Sequence, residues 1–192
     1  MNWQQRIDNL VATLPFPRNT FVLDSGGVIG LWTMGNDYRV KSGYHGGYPN
    51  TYLRRVRALF PDKRRALHIF SGMVDQHAFP GDTVDINPEL KPTFVDDCQT
   101  LLDVPLEDYD IILADPPYSG EDADHYGTTM ISRNRVIRAL HRCQPGTHLV
   151  WLDMTLPMYR KDVWACEADI GIRRSTNHRY RGATIFRRRQ PQ

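Results

Sequence analysis

Between Ala66 and Leu152 the chain repeats one rhythm: a run of three to five mostly apolar residues, then a polar connection. The runs are Ala66 to Phe70, Thr83 to Ile86, Thr93 to Val95, Asp110 to Ala114 and His148 to Leu152. Short apolar runs of this kind read as strands buried on both faces. Parallel strands need a crossover between them, so strand and connection in alternation imply an α/β fold, a mostly parallel sheet covered by helices. Trp164 to Ile172 and Tyr180 to Arg188, joined by Ser175-Thr176-Asn177-His178, read as a hairpin that gives the sheet an antiparallel carboxyl-terminal edge. In open α/β sheets ligands bind outside the carboxyl ends of the strands, and Phe70, Asp85, Asp97 and Asp115 all fall there.

Before this pattern, Ile7, Leu10, Val11 and Leu14 recur at helical spacing and Pro15 stops the run. Thr20 to Asp24 and Val28 to Met34 flank Ser25-Gly26-Gly27 as a small hairpin. Residues 37–50 read as a Gly- and Tyr-rich loop, residues 51–60 as a helix, and residues 129–143 as another. With 192 residues, 41% of them hydrophobic, the chain can bury one substantial core. We expect a single domain over 1–192, with residues 1–42 as a helix and hairpin extension and 43–188 as the core. No run approaches the roughly 18 apolar residues of a membrane span, and the first residues lack a signal-peptide pattern. Cys98, Cys143 and Cys166 are unpaired in spacing and fit reduced thiols in a cytoplasmic protein; no histidine spacing suggests a metal site.

Net charge is +2, unevenly spread. Seven arginines and no acid follow Ile172, and without them the remainder carries 17 basic against 22 acidic residues. Arg54, Arg55, Arg57, Lys63, Arg64 and Arg65 form a second basic cluster. Basic edges on an acidic body suit a polyanion at one face.

The most specific chemistry stands at the end of the fourth run. Asp115-Pro116-Pro117-Tyr118 is stiff and extended, because each proline fixes its own φ and excludes the helical region for the residue before it. The main-chain carbonyls then point out of the turn as acceptors, Asp115 adds a charged acceptor, and Tyr118 adds a flat face. The set suits a planar amino group. It resembles the signature of S-adenosylmethionine-dependent methyltransferases that act on exocyclic amines of adenine and cytosine.

The order of upstream segments extends the resemblance, to the DNA N6-adenine methyltransferases, over residues 43–118. Gly46-Gly47-Tyr48 precedes the helix of residues 51–60, then come Phe70-Ser71-Gly72, Asp85-Ile86-Asn87-Pro88, Asp96-Asp97-Cys98 and the Asp115 motif. The resemblance implies a Rossmann-like class I fold with S-adenosylmethionine as cofactor. Phe70, Ser71 and Gly72 would make a tight cofactor turn, Asp85 with Ile86 would meet the ribose, and Asp97 with Cys98 the cofactor's adenine, Asp96 being the competitor. Tyr44 and Gly47 would lie near its methionine end. Asp115 and the Pro116 carbonyl would accept the amine hydrogens, with Pro117 stiffening the turn and Tyr118 stacking on a base taken out of its duplex. His68 stands where relatives carry an acid facing the methionine ammonium, and Met73-Val74 replaces a second glycine; both changes bear on cofactor affinity.

Too few residues separate the cofactor and catalytic segments to hold a target-recognition domain. Relaxed sequence specificity follows, or target recognition supplied by a homodimer or a partner subunit. Arg133, Arg135, Arg179 and Arg181 are the candidates for nucleic-acid contact. DNA is the implied partner and no membrane is. His125-Tyr126 and its surroundings resemble messenger-RNA adenosine methyltransferases and keep RNA open, as N4 of cytosine stays open for the amine. A catalytically silent relative that binds nucleic acid or a partner is the reading from another class.

Overall fold

The computed structural model describes residues 1–15, 18–35, 48–49, 51–117, 131–174 and 180–191. The first helix, α1 (Trp3–Thr13), opens with a capping box: Gln5 N–H donates to the Asn2 side chain and the Asn2 N–H to the Gln5 side chain, both at 2.9 Å. It is followed by the hairpin β1 (Thr20–Val22) and β2 (Val28–Met34), then α2 (Tyr52–Leu59). The central strands are β3 (Ala66–Ile69), β4 (Asp82–Asp85), β5 (Phe94–Val95), β6 (Ile111–Ala114) and β7 (His148–Asp153). Helix α3 (Arg133–Ala139) precedes β7, and β8 (Trp164–Arg174) and β9 (Tyr180–Arg188) close the chain. The expected helix of residues 129–143 is shorter: Ile131 and Ser132 are not helical, α3 starts at Arg133, and one 3₁₀ turn, Leu140–Arg142, follows it, while residues 129–130 lie outside those described.

All nine strands form one sheet in the order β1-β2-β8-β9-β7-β6-β3-β4-β5. Counted from β3, the strands from β5 to β8 run 3-2-1-4-5-7-6, a doubly wound sheet with an antiparallel strand inserted beside its last member. The antiparallel pair β8–β9 lies where the hairpin was expected. The amino-terminal hairpin then extends the same sheet, β2 pairing in parallel with β8 from Val28↔Ala168 to Met34↔Arg174. Strand order reverses between β3 and β6, which pair in parallel from Ala66↔Ile111 to Ile69↔Ala114. That reversal opens a crevice at the ends of these two strands.

Period-two alternation divides the core between the sheet's faces. Ile111, Leu113, Val150, Leu152, Ile170, Ala183 and Ile185 face α1 and α2. Leu67, Ile69, Ile112, Ala114, Leu149 and Trp151 face α3. Each fully buried aliphatic side chain contributes about 1.5–3 kcal/mol relative to exposure. Among the described residues, no helix is long and apolar enough to cross a membrane.

Candidate active site

The turn after β3 is built from strained backbone. Phe70 (φ 56°) and Gly72 (φ 50°) both take left-handed conformations, costly for a residue with a β-carbon such as Phe70 and free for Gly72. Three hydrogen bonds hold the turn: Phe70 N–H to Cys98 Sγ at 3.3 Å, Ser71 N–H to the Val84 carbonyl at 3.1 Å, and Gly72 N–H to Asp85 Oδ2 at 2.9 Å. Asp85 Oδ1 accepts Asn87 N–H at 3.0 Å, so this carboxylate braces two turns at once. Each oxygen keeps lone pairs for a ligand hydroxyl. Beside it Ile86 is exposed, an apolar surface at the mouth of the crevice.

The next strand end separates the two competing acids. Asp96 spends one oxygen on Asp97 N–H (2.7 Å) and the other on Asp103 N–H (3.0 Å), closing the loop 96–103. Asp97 uses Oδ1 on Gln99, and its Oδ2 accepts no hydrogen bond among the described residues. Its Oδ2 is the better-placed acceptor for a ligand amino group. Cys98 is buried, and burial pushes its thiol pKa well up. Its sulfur supports the Phe70 turn from beneath. Gln99 Oε1 in turn accepts Ser132 N–H at 2.9 Å, tying this loop to the start of α3.

His68, in the middle of β3, is fully buried, and its Nε2 meets the Phe79 carbonyl at 2.9 Å. Burial pushes its pKa down to about 4, against a lift from that carbonyl. The ring is therefore neutral, Nε2–H donates, and Nδ1 is an acceptor with no partner among the described residues. Above it stand two tyrosines that sequence reasoning did not single out as a pair. Tyr48 and Tyr52 stack with centroids 5.3 Å apart and planes 8° from parallel, and Tyr48 meets the His68 ring edge-on. Their i, i+4 spacing across the start of α2 was the available signal. Both hydroxyls are buried without partners among the described residues. Burial raises both phenol pKa values well above normal, and the Asp115 carboxylate raises them further.

Asp115 follows directly on Ala114 at the end of β6, half-buried, with Pro116 buried behind it. It faces α2 rather than α3, as period-two alternation from Leu113 requires. Arg181, expected as a phosphate contact, is buried at 6% exposure; it alternates inward with Ala183 and Ile185, and its charge lowers the Tyr52 pKa. The Asp115 carboxylate thus acts on both phenols, and the Arg181 guanidinium on Tyr52, beside the topological switch point. Buried polar atoms without partners cost about 1–3 kcal/mol each. Ser71 Oγ, His68 Nδ1 and the two phenols are four such atoms around one crevice, the pattern of a ligand site.

Of the other expected contacts, Arg133 pairs with buried Asp153 through Nε (2.6 Å) and Nη2 (3.2 Å), and Arg135 is exposed on α3. Tyr44, Gly47, Tyr118 and Arg179 lie outside the described residues. The second basic cluster disperses: Arg55 is buried, Arg57 donates to the Lys63 carbonyl, and Lys63 to the Gly146 carbonyl. Among the described residues, no three His, Cys, Asp or Glu side chains converge as metal ligands.

No protein-family model matches the chain, and no curated protein does. Solved structures do. The N-methyltransferase NodS from Bradyrhizobium japonicum WM9 is similar at 14% identity over 73% of this chain and 94% of that one, with a TM-score of 0.50. The glycopeptide N-methyltransferase MtfA, complexed with sinefungin, is 12% identical over 95% of this chain and 80% of that one (TM-score 0.41). The mitomycin 7-O-methyltransferase MmcR is 14% identical over 68% and 50% (TM-score 0.44). At such identities likeness speaks to fold alone. Strand order and the NodS likeness together give this chain the class I, Rossmann-like methyltransferase fold.

Proposed function

We propose that this protein transfers a methyl group from S-adenosylmethionine to the exocyclic N6 amine of adenine in DNA, with relaxed sequence specificity. The observation that carries the reading is the position of Asp115-Pro116-Pro117. The motif closes β6 beside the strand-order reversal, across the crevice from the strained turn at Phe70 and Gly72.

The residues around the crevice fit the cofactor by chemistry. Asp85 offers acceptors for ribose hydroxyls, Ile86 an apolar face, and Asp97 Oδ2 an acceptor for an adenine amine. His68 Nδ1 is an acceptor where relatives carry an acid, so an ammonium can be held there by a hydrogen bond without a full charge. This supports the enzyme reading over the silent one at His68, while Met73-Val74 still stands in place of a second glycine. When bound, the cofactor supplies an electrophilic methyl group.

The chain's own work is on the amine. Its nitrogen is a poor nucleophile because the lone pair is delocalised into the ring. The Asp115 carboxylate and the Pro116 carbonyl accept its two N–H groups and draw the nitrogen toward tetrahedral geometry, which localises the lone pair. Asp115 is also placed to take the proton that the nitrogen releases. Stiff prolines fix these acceptors before the substrate arrives, so most of the acceleration comes from positioning and electrostatics.

The test is incubation with tritiated S-adenosylmethionine and unmethylated duplex DNA, single-stranded DNA or RNA, followed by digestion and identification of the labelled nucleoside. Label in N6-methyladenine from DNA, lost in Asp115→Ala, is the expected result. Label in N4-methylcytosine, or in RNA alone, replaces the substrate and keeps the reaction. No label in any polymer, with no cofactor binding, removes the enzyme reading.

A further inference from the structure

On the α3 side of the sheet, Trp164 at the start of β8 and Phe186 near the end of β9 are buried in the core with α3, whereas β2, the carboxyl half of β8 and the start of β9 have no helix over them among the described residues. Ile29 and Leu31 are 47% and 45% exposed there, and Tyr180 is 61% exposed. A cleft of about 260 Å³ opens in this region between the end of β7 and the start of β9. Strand β8 runs parallel to β2, and antiparallel to β9, which is antiparallel to β7. The carboxyl end of β8 and the start of β9 therefore lie at the same end of the sheet as Asp115.

The floor of the cleft is bare backbone. Gly171 and Gly182 are directly opposed in register. A β-carbon on Gly171 would stand 2.1 Å from the Tyr180 hydroxyl, so only glycine lets that phenol lie down on β8. Tyr180 then offers an open aromatic face, and its cross-strand partner Arg173 is an exposed cation. Asp169 is exposed on the same face; its Oδ1 accepts the Thr184 hydroxyl at 3.2 Å, and its Oδ2 has no partner among the described residues. Asp153, at the other wall, is saturated by Arg133, Trp151 and the Met154 and Thr155 N–H groups. One carboxylate oxygen is left without a partner among the described residues, beside an exposed ring and a cation.

We propose that this cleft holds the base of a nucleotide adjoining the methylated one, stacked on Tyr180, with Arg173 toward its phosphate and Asp169 reading its edge. The inference rests on the nucleic-acid reading of the active site and names the source of whatever sequence preference the enzyme has. The volume is below the ~300–1,000 Å³ of pockets for drug-sized ligands and suits a single ring system. An ionised carboxylate can only accept, the donors on a base edge are N–H groups, and an unpaired guanine presents two adjacent ones, N1–H and N2–H, on its Watson–Crick edge. Guanine beside the target adenine is thus the favoured neighbour.

The experiment uses the full chain and fluorescent single strands of oligo-dT carrying one adenine flanked by G, A, C or T. Binding is read by anisotropy, and sinefungin binding is measured in parallel as a check on the fold. Wild type is expected to prefer the G-flanked strand. Asp169→Asn, which keeps the Thr184 contact but replaces an acceptor with an amide, should erase that preference. Tyr180→Ala should weaken all four strands by about tenfold, the scale of one lost base–aromatic stack. Both variants should bind sinefungin as wild type does. Wild-type affinity and preference in both variants would overturn the cleft alone, provided wild type still labels DNA. Failure of wild type to bind any strand or to label any polymer overturns the cleft and the proposed function together.

Discussion

Beneath the crevice, His68 is an imidazole in the middle of a fully buried strand, and its burial has a thermodynamic consequence. Folded, it takes a proton only near pH 4; unfolded, it does so near 6.5. Between those values the unfolded chain binds more protons, so the unfolded state gains as pH falls. This contribution to stability is complete above about pH 6.5, declines through the window, and levels off below about pH 4. Its full size is on the order of 3 kcal/mol. Denaturant titrations of the free protein at pH 7, 5.5 and 4.5 should therefore show wild type losing stability relative to His68→Gln. Parallel loss in the two proteins would mean that His68 is not the group titrating. The same residue shows where local reading stops. Its position two residues before Phe70 was plain in the sequence, but its tautomer depends on the Phe79 carbonyl, eleven residues away and brought close only by folding.

Among the elements, α3 is held less by its own hydrogen bonds than by its ends. It spans seven residues, too short to be stable alone, and its Ser132 cap makes no side-chain hydrogen bond. Arg133 instead clamps its first turn to Asp153 at the end of β7, and Gln99 binds the Ser132 N–H from the loop after β5. Asp153 is 1% exposed at its side chain. Removing it in Asp153→Ala strands a partly buried guanidinium and two turn N–H groups, and should cost about 3–5 kcal/mol in urea unfolding. Asp153→Asn keeps an acceptor for the Met154 and Thr155 N–H groups and should cost clearly less. Equal losses would show that charge pairing, rather than the turn, dominates. Sequence reading placed Arg133 at a phosphate because its carboxylate partner stands twenty residues downstream in another element.

For the molecule as a whole, the distribution of charge came out differently from its distribution along the chain. Arg187 stands opposite His148 at the start of β7, and Lys63 to Arg65 lead into β3. Arg187 to Arg189 and Lys63 to Arg65 thus lie at the amino-terminal end of the sheet, opposite Asp115, whereas Arg173 and Arg181 lie at the Asp115 end. Several of these cations are already engaged, Arg187 by Glu167 and Arg65 by Asp108. Arg135, near the start of α3, and Arg173, near the end of β8, are exposed cations. Ligand linkage tests the crevice at this scale. Sinefungin at about 100 times its Kd should stabilise the fold by about 2.7 kcal/mol and raise Tm by roughly 5–10 °C. No shift at millimolar ligand would return the protein to the silent class.

Local patterns along the chain dictate the strands and the order of chemistry along them. Short apolar runs ended by Gly, Pro and Asp have few alternatives to buried parallel strands, and Asp115-Pro116-Pro117 is rigid whatever surrounds it. That was enough for the fold class and for the row of acids at the strand ends. Folding alone decided the partners. The hairpin at Thr20 to Met34 joined the main sheet because β8 offered it an edge. Arg181 turned inward because alternation with Ala183 and Ile185 allowed no other side. Tyr48, Tyr52 and His68 met around one crevice because α2 packs across the face on which β3 presents its histidine. Register and helix packing depend on contacts between segments far apart in the chain, so no local pattern encodes them.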